Sequence, residues 1–288
     1  METNQNINLE YPLLLIQNVS KYFDSASNST SLSTSTSTST LTSNQQTNQM
    51  SDSTMVLRDI SLTIDGGETV AIIGESGCGK TVLLKTMIRL FKPDKGNVIF
   101  DGRDLSELTY FELAQIRTRY GFVFQQAALF DSMTIGENIA FPLTQHSNKT
   151  KKEIKEIVKN LLNEVGLSEQ IINRKPAELS GGMRKRVGFA RALALEPEII
   201  LYDEPTTGLD PIMSNVINEL IINAHKNHNV TSILVTHDIK SVLKVASRVI
   251  MLYPLAKLNR GEKQIIFDGD IEKFINCNDN RVREFISV

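Results

Sequence analysis

Val70-Ala71-Ile72-Ile73-Gly74-Glu75-Ser76-Gly77-Cys78-Gly79-Lys80-Thr81 is the stretch on which the reading of this chain turns. Its first four residues are wholly apolar, as a short strand buried on both faces of a parallel sheet requires. Gly74, Gly77 and Gly79 then free the backbone to fold around phosphate. Successive N–H groups, and the N-terminus of a helix predicted over 81–91, supply partial positive charge. Lys80 adds a full charge toward the β- and γ-phosphates of a nucleoside triphosphate. The Thr81 hydroxyl is placed to ligate Mg²⁺, which usually keeps several waters. Glu75, Ser76 and Cys78 complete the loop, and the side chains of Glu75 and Cys78 are expected to point away from phosphate.

A second stretch supplies acid. Ile199-Ile200-Leu201-Tyr202 leads directly into Asp203-Glu204. Four apolar residues put two carboxylates at the mouth of a buried strand, where acids without a task would be costly. Asp203 is expected to hold the Mg²⁺ shell, and Glu204 to orient and polarise the attacking water as general base.

Other apolar runs read as strands at 13–22, 56–64, 97–100, 121–125, 232–235, 248–253 and 263–267, the last two at the sheet margin. Helices are expected over 151–165, after Gly182, and over 214–224. Strands alternating with helices argue for an α/β domain with a largely parallel sheet. The segment from about 126 to 180 reads as a helical insertion. Residues 1–12 form an N-terminal tail to a domain of 13–288. From Thr30 to Ser43 nearly every residue is Ser or Thr, so 24–54 is expected to be a disordered insertion.

The 288 residues suffice for one sizeable core, and a net charge of −2 argues against a general nucleic-acid binder. Cys78 and Cys277 have no metal-ligand spacing and read as reduced thiols. No apolar run approaches the ~20 residues that span a bilayer. The first twenty residues carry no Lys or Arg, unlike a secretory or transit signal. Service to a membrane would therefore run through a partner.

Leu179-Ser180-Gly181-Gly182-Met183 is similar to the LSGGQ signature of ABC-transporter nucleotide-binding subunits, with Met183 where glutamine is usual. Ser180, Gly181 and Gly182 at a helix start make a second anion-binding N-terminus. The resemblance covers 13–288 apart from the insertion. It implies a P-loop NTPase (RecA-like) core with an antiparallel β subdomain and an inserted helical subdomain, binding ATP and Mg²⁺. It further implies a head-to-tail homodimer in which Ser180–Gly182 of one chain meet the γ-phosphate held by the other. By the same resemblance, Gln125 links Mg²⁺, water and a membrane permease, Asp210 crosses the dimer interface, and His237 contacts the γ-phosphate. Phe23 is the aromatic expected to stack on adenine, with Tyr22 as the alternative.

A narrower likeness lies in Phe124–Thr134 and in Gly181-Gly182-Met183-Arg184-Lys185-Arg186-Val187. These resemble the ATPases of Mla/Mce-type lipid transporters, including cyanobacterial and plastid versions. The implied partners are a small permease and an Mce-type lipid-binding protein. The implied place is the cytoplasmic face of a bacterial inner membrane or the stromal side of a plastid inner envelope. Arg184-Lys185-Arg186 fits that subgroup but reads more simply as a solvated helix face. His146, His225 and His228 read as solvated residues. The competing readings are transport of another cargo (an amino acid, organic solvent or ion) and non-transport ABC work on DNA or ribosomes. DNA-repair relatives separate their motifs with long coiled coils or zinc modules, whereas about a hundred residues separate Lys80 from Ser180 here.

Overall fold

The computed structural model describes residues 12–24 and 53–287. In chain order the elements are β1 (Leu14–Asp24), β2 (Ser53–Ile64), β3 (Thr69–Ile73), α1 (Lys80–Met87), β4 (Lys95–Phe100), β5 (Arg103–Asp104), α2 (Tyr110–Arg117), β6 (Tyr120–Val123), α3 (Ile135–His146), α4 (Lys151–Glu164) and α5 (Gly181–Leu193). There follow β7 (Ile199–Asp203), α6 (Pro211–His228), β8 (Thr231–Val235), α7 (Ile239–Val245), β9 (Arg248–Leu252), β10 (Ile265–Asp270), α8 (Ile271–Ile275) and α9 (Asn280–Ile286).

Two sheets result. The larger has the order β10-β9-β3-β8-β7-β6, with parallel pairing throughout except for the antiparallel edge strand β10. The smaller is antiparallel, in the order β2-β1-β4-β5. Strands β3, β7 and β8 are buried at every position. Alternate side chains point to opposite faces and both faces are covered, which is why no polar face is visible in the sequence. Val70, Ile72, Leu201 and Val235 pack toward α1 and the antiparallel sheet. Ile200, Tyr202 and Leu234 pack on the opposite face with α5 and α6. Ala71, Ile73, Val249 and Met251 meet α7, α8 and α9.

The expected mixed architecture is present, with several corrections to its parts. Strand β9 is not marginal: it lies between β3 and β10, and only β10 is at the edge. Strand β1 extends to Asp24 and β2 begins at Ser53, with Asp24 opposite Ser53 in the ladder. Positions 24, 53 and 54, expected in the insertion, are therefore strand; the Ser/Thr-rich remainder, 25–52, and residues 1–11 of the tail lie outside the described residues. Helix α1 stops at Met87, because Arg89 turns left-handed at φ 52°. Helix α6 is longer than expected, capped by Asp210 and ended by left-handed Asn229.

Helix α2 lies outside the helices expected from the sequence, whereas α3 falls within the helical insertion expected over about 126–180. Each starts at a capping box, Thr109 with Glu112 and Thr134 with Glu137, and a third box begins α4 at Thr150 with Glu153. A Thr-x-x-Glu spacing is readable in sequence, so those two starts had a signal. Helices α3 and α4 pack on α5, which joins them in the helical layer although it starts after residue 180.

Candidate nucleotide site

The glycine loop runs from the C-terminal end of β3 into α1, and its conformation depends on having no side chain at two positions. Gly74 has φ 145°, and a Cβ there would sit 2.2 Å from the Leu252 carbonyl oxygen. Gly79 has φ 100° and caps α1 with no side chain of its own, while a Cβ would meet Leu57 at 2.9 Å. The N–H groups of the first turn thus face an open approach. Lys80 is buried and donates to the carbonyls of Gly74 at 2.7 Å and Glu75 at 3.0 Å, which tightens the loop around its ammonium.

Around the loop lies a cavity of about 630 Å³, within the range of small-ligand sites. Gly74, Glu75, Ser76, Gly77, Gly79, Lys80 and Thr81 line it, together with Gln125, Glu204 and His237. Four separated motifs thus share one wall. Parallel pairing of β3 with β8, and of β8 with β7, brings their C-terminal ends together, the usual place for a ligand in such a sheet.

Asp203 ends β7 and is buried. Its Oδ1 accepts the Thr81 hydroxyl at 2.7 Å. Two hard oxygen donors in contact, with Gln125 on the same wall, suit Mg²⁺, which takes one or two carboxylates along with phosphates and waters. Among the described residues no group of three or more His, Cys, Asp and Glu forms a metal cage.

Glu204 follows with φ 49°, and its N–H donates to the Val235 carbonyl at 2.9 Å. This left-handed turn swings the carboxylate off the strand direction. Its Oε2 lies 2.8 Å from His237 Nδ1 and accepts the Thr207 hydroxyl at 3.0 Å. His237, after β8, is largely exposed at the rim, whereas the Glu204 side chain is mostly covered.

Other expected residues lie elsewhere. The Cys78 thiol faces the core, and burial pushes its pKa up. The Glu75 carboxylate turns outward to Lys257 at 2.5 Å. Phe23 is a correction: it is not among the residues lining the cavity. Register shifts at Val19, Lys21 and Tyr22 turn β1, and the Phe23 ring packs edge-on against Phe91 at 5.4 Å with the Lys21 ammonium over its face. The alternative, Tyr22, lines a different, polar hollow. Val56, Val82 and Phe285 are the apolar side chains on the cavity wall, and nothing local in the sequence marks Phe285, whose approach depends on where α9 docks.

Ser180 caps α5, its hydroxyl accepting from the Met183 N–H at 3.3 Å. Ser180 and Gly181 are exposed; Gly182 is buried, and a Cβ there would lie 2.8 Å from Met213. Met183 is half-buried against the helical layer, which fits a thioether better than an amide. The Asp210 carboxylate accepts from the Ile212 and Met213 N–H groups at 2.9 Å and so caps α6. None of Ser180, Gly181, Gly182 and Asp210 lines the cavity of its own chain.

The basic run overturns the solvated-face reading. Arg184 donates to the Leu179 carbonyl at 2.6 Å, Arg186 to Gly166 at 2.8 Å, and buried Lys185 to Pro205 at 2.8 Å and Thr207 at 2.6 Å. His225 is half-buried with Nδ1 3.2 Å from the Val230 carbonyl, and His228 pairs with Glu164 at 2.6 Å, so neither is merely solvated. His146 is exposed.

Comparison with known proteins agrees with this geometry. The chain is 40% identical over 235 residues to a probable ribonucleotide transport ATP-binding protein, mkl, of Mycobacterium tuberculosis, covering 82% of this chain but only 63% of that relative. It is 37% identical to the intermembrane phospholipid transport system ATP-binding protein MlaF of Haemophilus influenzae, covering 81% of this chain and 84% of MlaF. The dimeric structure of an ATP-binding cassette in a post-hydrolysis state with ADP and Pi superposes with a TM-score of 0.71 at 30% identity, covering 89% of this chain and 98% of that one. With the ABC transporter family model matching residues 57–207, the chain belongs to the ABC transporter family.

Proposed function

We propose that this chain is the ATP-hydrolysing subunit of a membrane transporter whose cargo is phospholipid. The observation that carries hydrolysis is the convergence of Lys80, Thr81, Glu204 and His237 on one cavity. Phospholipid is supported by the likeness to MlaF across most of both chains.

In this reading Lys80 and the N–H groups of 77–81 bind the β- and γ-phosphates of ATP. Thr81 and Asp203 would hold Mg²⁺, assisted by Gln125, and the ion would supply charge neutralisation when bound. Glu204 orients a water on the γ-phosphorus and takes its proton, as the bond from phosphorus to the bridging oxygen of the departing ADP breaks. His237 holds Glu204 in place and faces the γ-phosphate from the rim. The work is chiefly positioning and charge stabilisation.

Exposed Ser180 and Gly181, remote from their own cavity, support a head-to-tail homodimer in which each signature completes the partner's site. No helix among the described residues is long and apolar enough to cross a membrane. In this reading the permease is a separate chain, with an Mce-type lipid-binding protein as the further partner. We assign the ATPase to the cytoplasmic face of a bacterial inner membrane or the stromal side of a plastid envelope.

The test is purification of the chain with its membrane partner, followed by identification of bound lipid and assay of ATP turnover in phospholipid vesicles. Phospholipid in the complex and faster turnover in those vesicles support the reading. ATP turnover stimulated by a soluble solute and indifferent to phospholipid would overturn the cargo.

A further inference from the structure

Lys185 is a cation where the fold gives it little water. It lies in the second turn of α5, with 8% of its surface exposed. A buried ammonium is costly unless hydrogen-bonded. Its two acceptors are backbone carbonyls, Pro205 at 2.8 Å and Thr207 at 2.6 Å. Both belong to the turn directly after Glu204. Within that turn the Thr207 hydroxyl donates to Glu204 Oε2 at 3.0 Å, and the Thr207 N–H donates to the Glu204 carbonyl at 3.3 Å. Burial lowers the Lys185 pKa, and the nearby Glu204 charge opposes that fall.

A continuous set of bonds therefore runs from α5 through Lys185 to the 205–207 turn, through Thr207 to Glu204, and on to His237. Helix α5 is the element that presents Ser180 at its N-cap. We propose that Lys185 is a positioning residue for hydrolysis, holding the 205–207 turn against the signature helix so that Thr207 aims the Glu204 carboxylate. The proposal rests on the reading of Glu204 as general base. It also gives α5 a hold on its own chain's base while, in the proposed head-to-tail dimer, its N-terminus would face the other chain. A shift of α5 on engaging nucleotide would then move the turn that aims Glu204.

Lys185→Met keeps the length of the stem and removes the donors, whereas Lys185→Arg keeps the charge and donors. Both are assayed for ATP hydrolysis in the assembled transporter, beside Glu204→Gln and the double variant. A small misplacement of a reacting group can cost about 100-fold, so Lys185→Met is expected to lower kcat at least about tenfold. Measured ATP affinity is expected to stay within about twofold, because no phosphate contact is lost. Lys185→Arg is expected to recover most of the rate. Adding Lys185→Met to Glu204→Gln is expected to slow that variant no further, since both act through one carboxylate.

Parental kcat in Lys185→Met, or ATP affinity falling in step with kcat and without rescue by arginine, overturns the proposal. Parental turnover by Glu204→Gln defeats the base reading instead, so the two failures are distinct. If Lys185→Met does not fold, Thr207→Val decides: reduced kcat with ATP affinity kept supports the chain of bonds, and parental kcat refutes it.

Discussion

His237 Nδ1 and Glu204 Oε2 stand 2.8 Å apart, joining the C-terminal ends of two parallel strands although the two residues are 33 positions apart in sequence. The exposed imidazole and the sheltered carboxylate form one contact unit on the wall that also carries Lys80 and the glycine loop.

Removing the acid from that unit should separate binding from hydrolysis. Glu204→Gln is expected to bind MgATP normally but to hydrolyse it at least ~100-fold more slowly, and to accumulate as an ATP-bound dimer. His237→Ala is expected to retain ATP and lose at least ~10-fold in rate, because it frees Glu204 without removing it. Single-turnover assays with direct ATP-binding measurements check both; near-parental turnover by Glu204→Gln would remove it from the role of base.

Gly74→Ala tests the loop. Its φ of 145° and the 2.2 Å approach to the Leu252 carbonyl leave no room for a methyl group. Backbone strain alone costs roughly 1–3 kcal/mol, so thermal unfolding should occur at lower temperature and ATP binding should be lost with it. Gly77→Ala has open space but φ 79°, and should suffer from backbone strain alone. Equal stability of Gly74→Ala and the parent would contradict the tight packing of β9 on the loop.

Deleting 28–50 should leave ATP affinity and melting temperature nearly unchanged. Asp24 and Ser53 are opposite each other in the β1–β2 ladder, so the remaining 25–27 and 51–52 make a connection of ordinary hairpin length. Calorimetry and nucleotide titration of the deletion provide the check. A large loss of ATP binding would show that the segment contributes to the site.

Head-to-tail pairing is tested by Ser76→Cys and Gly181→Cys, each introduced in a separate chain; Gly181 is exposed and has open space for a side chain, whereas buried Gly182 has none. An interchain crosslink is expected only with ATP. Cys78 should not interfere, since burial holds its thiol up and away from the reactive thiolate form, while half-buried Cys277 is replaced by serine in the parent. A crosslink formed inside a single chain carrying both cysteines, at high dilution, would contradict the pairing.

Backbone N–H groups that wrap a phosphate are consecutive in the chain, and two acids that end an apolar strand are contiguous with it. The glycine loop and the acids at the end of β7 are legible for that reason. Phe23 was legible only as an aromatic near a strand end; its direction depended on bulges in β1 and on Phe91, neither visible locally. The capping box of α2 is local and readable, yet its eight residues carry weak apolar periodicity, so the pattern alone does not mark the helix.

The sequence by itself determined the phosphate chemistry, the two-sided burial of β3, β7 and β8, and the order of the motifs, since each is written in contiguous residue types. Only the tertiary structure decided which of those groups meet. Parallel pairing brings Glu204 to His237, and the packing of α5 turns a basic run into donors for buried carbonyls. Charge in a sequence says that a cation exists; whether water or a backbone carbonyl solvates it depends on which surfaces the fold has closed.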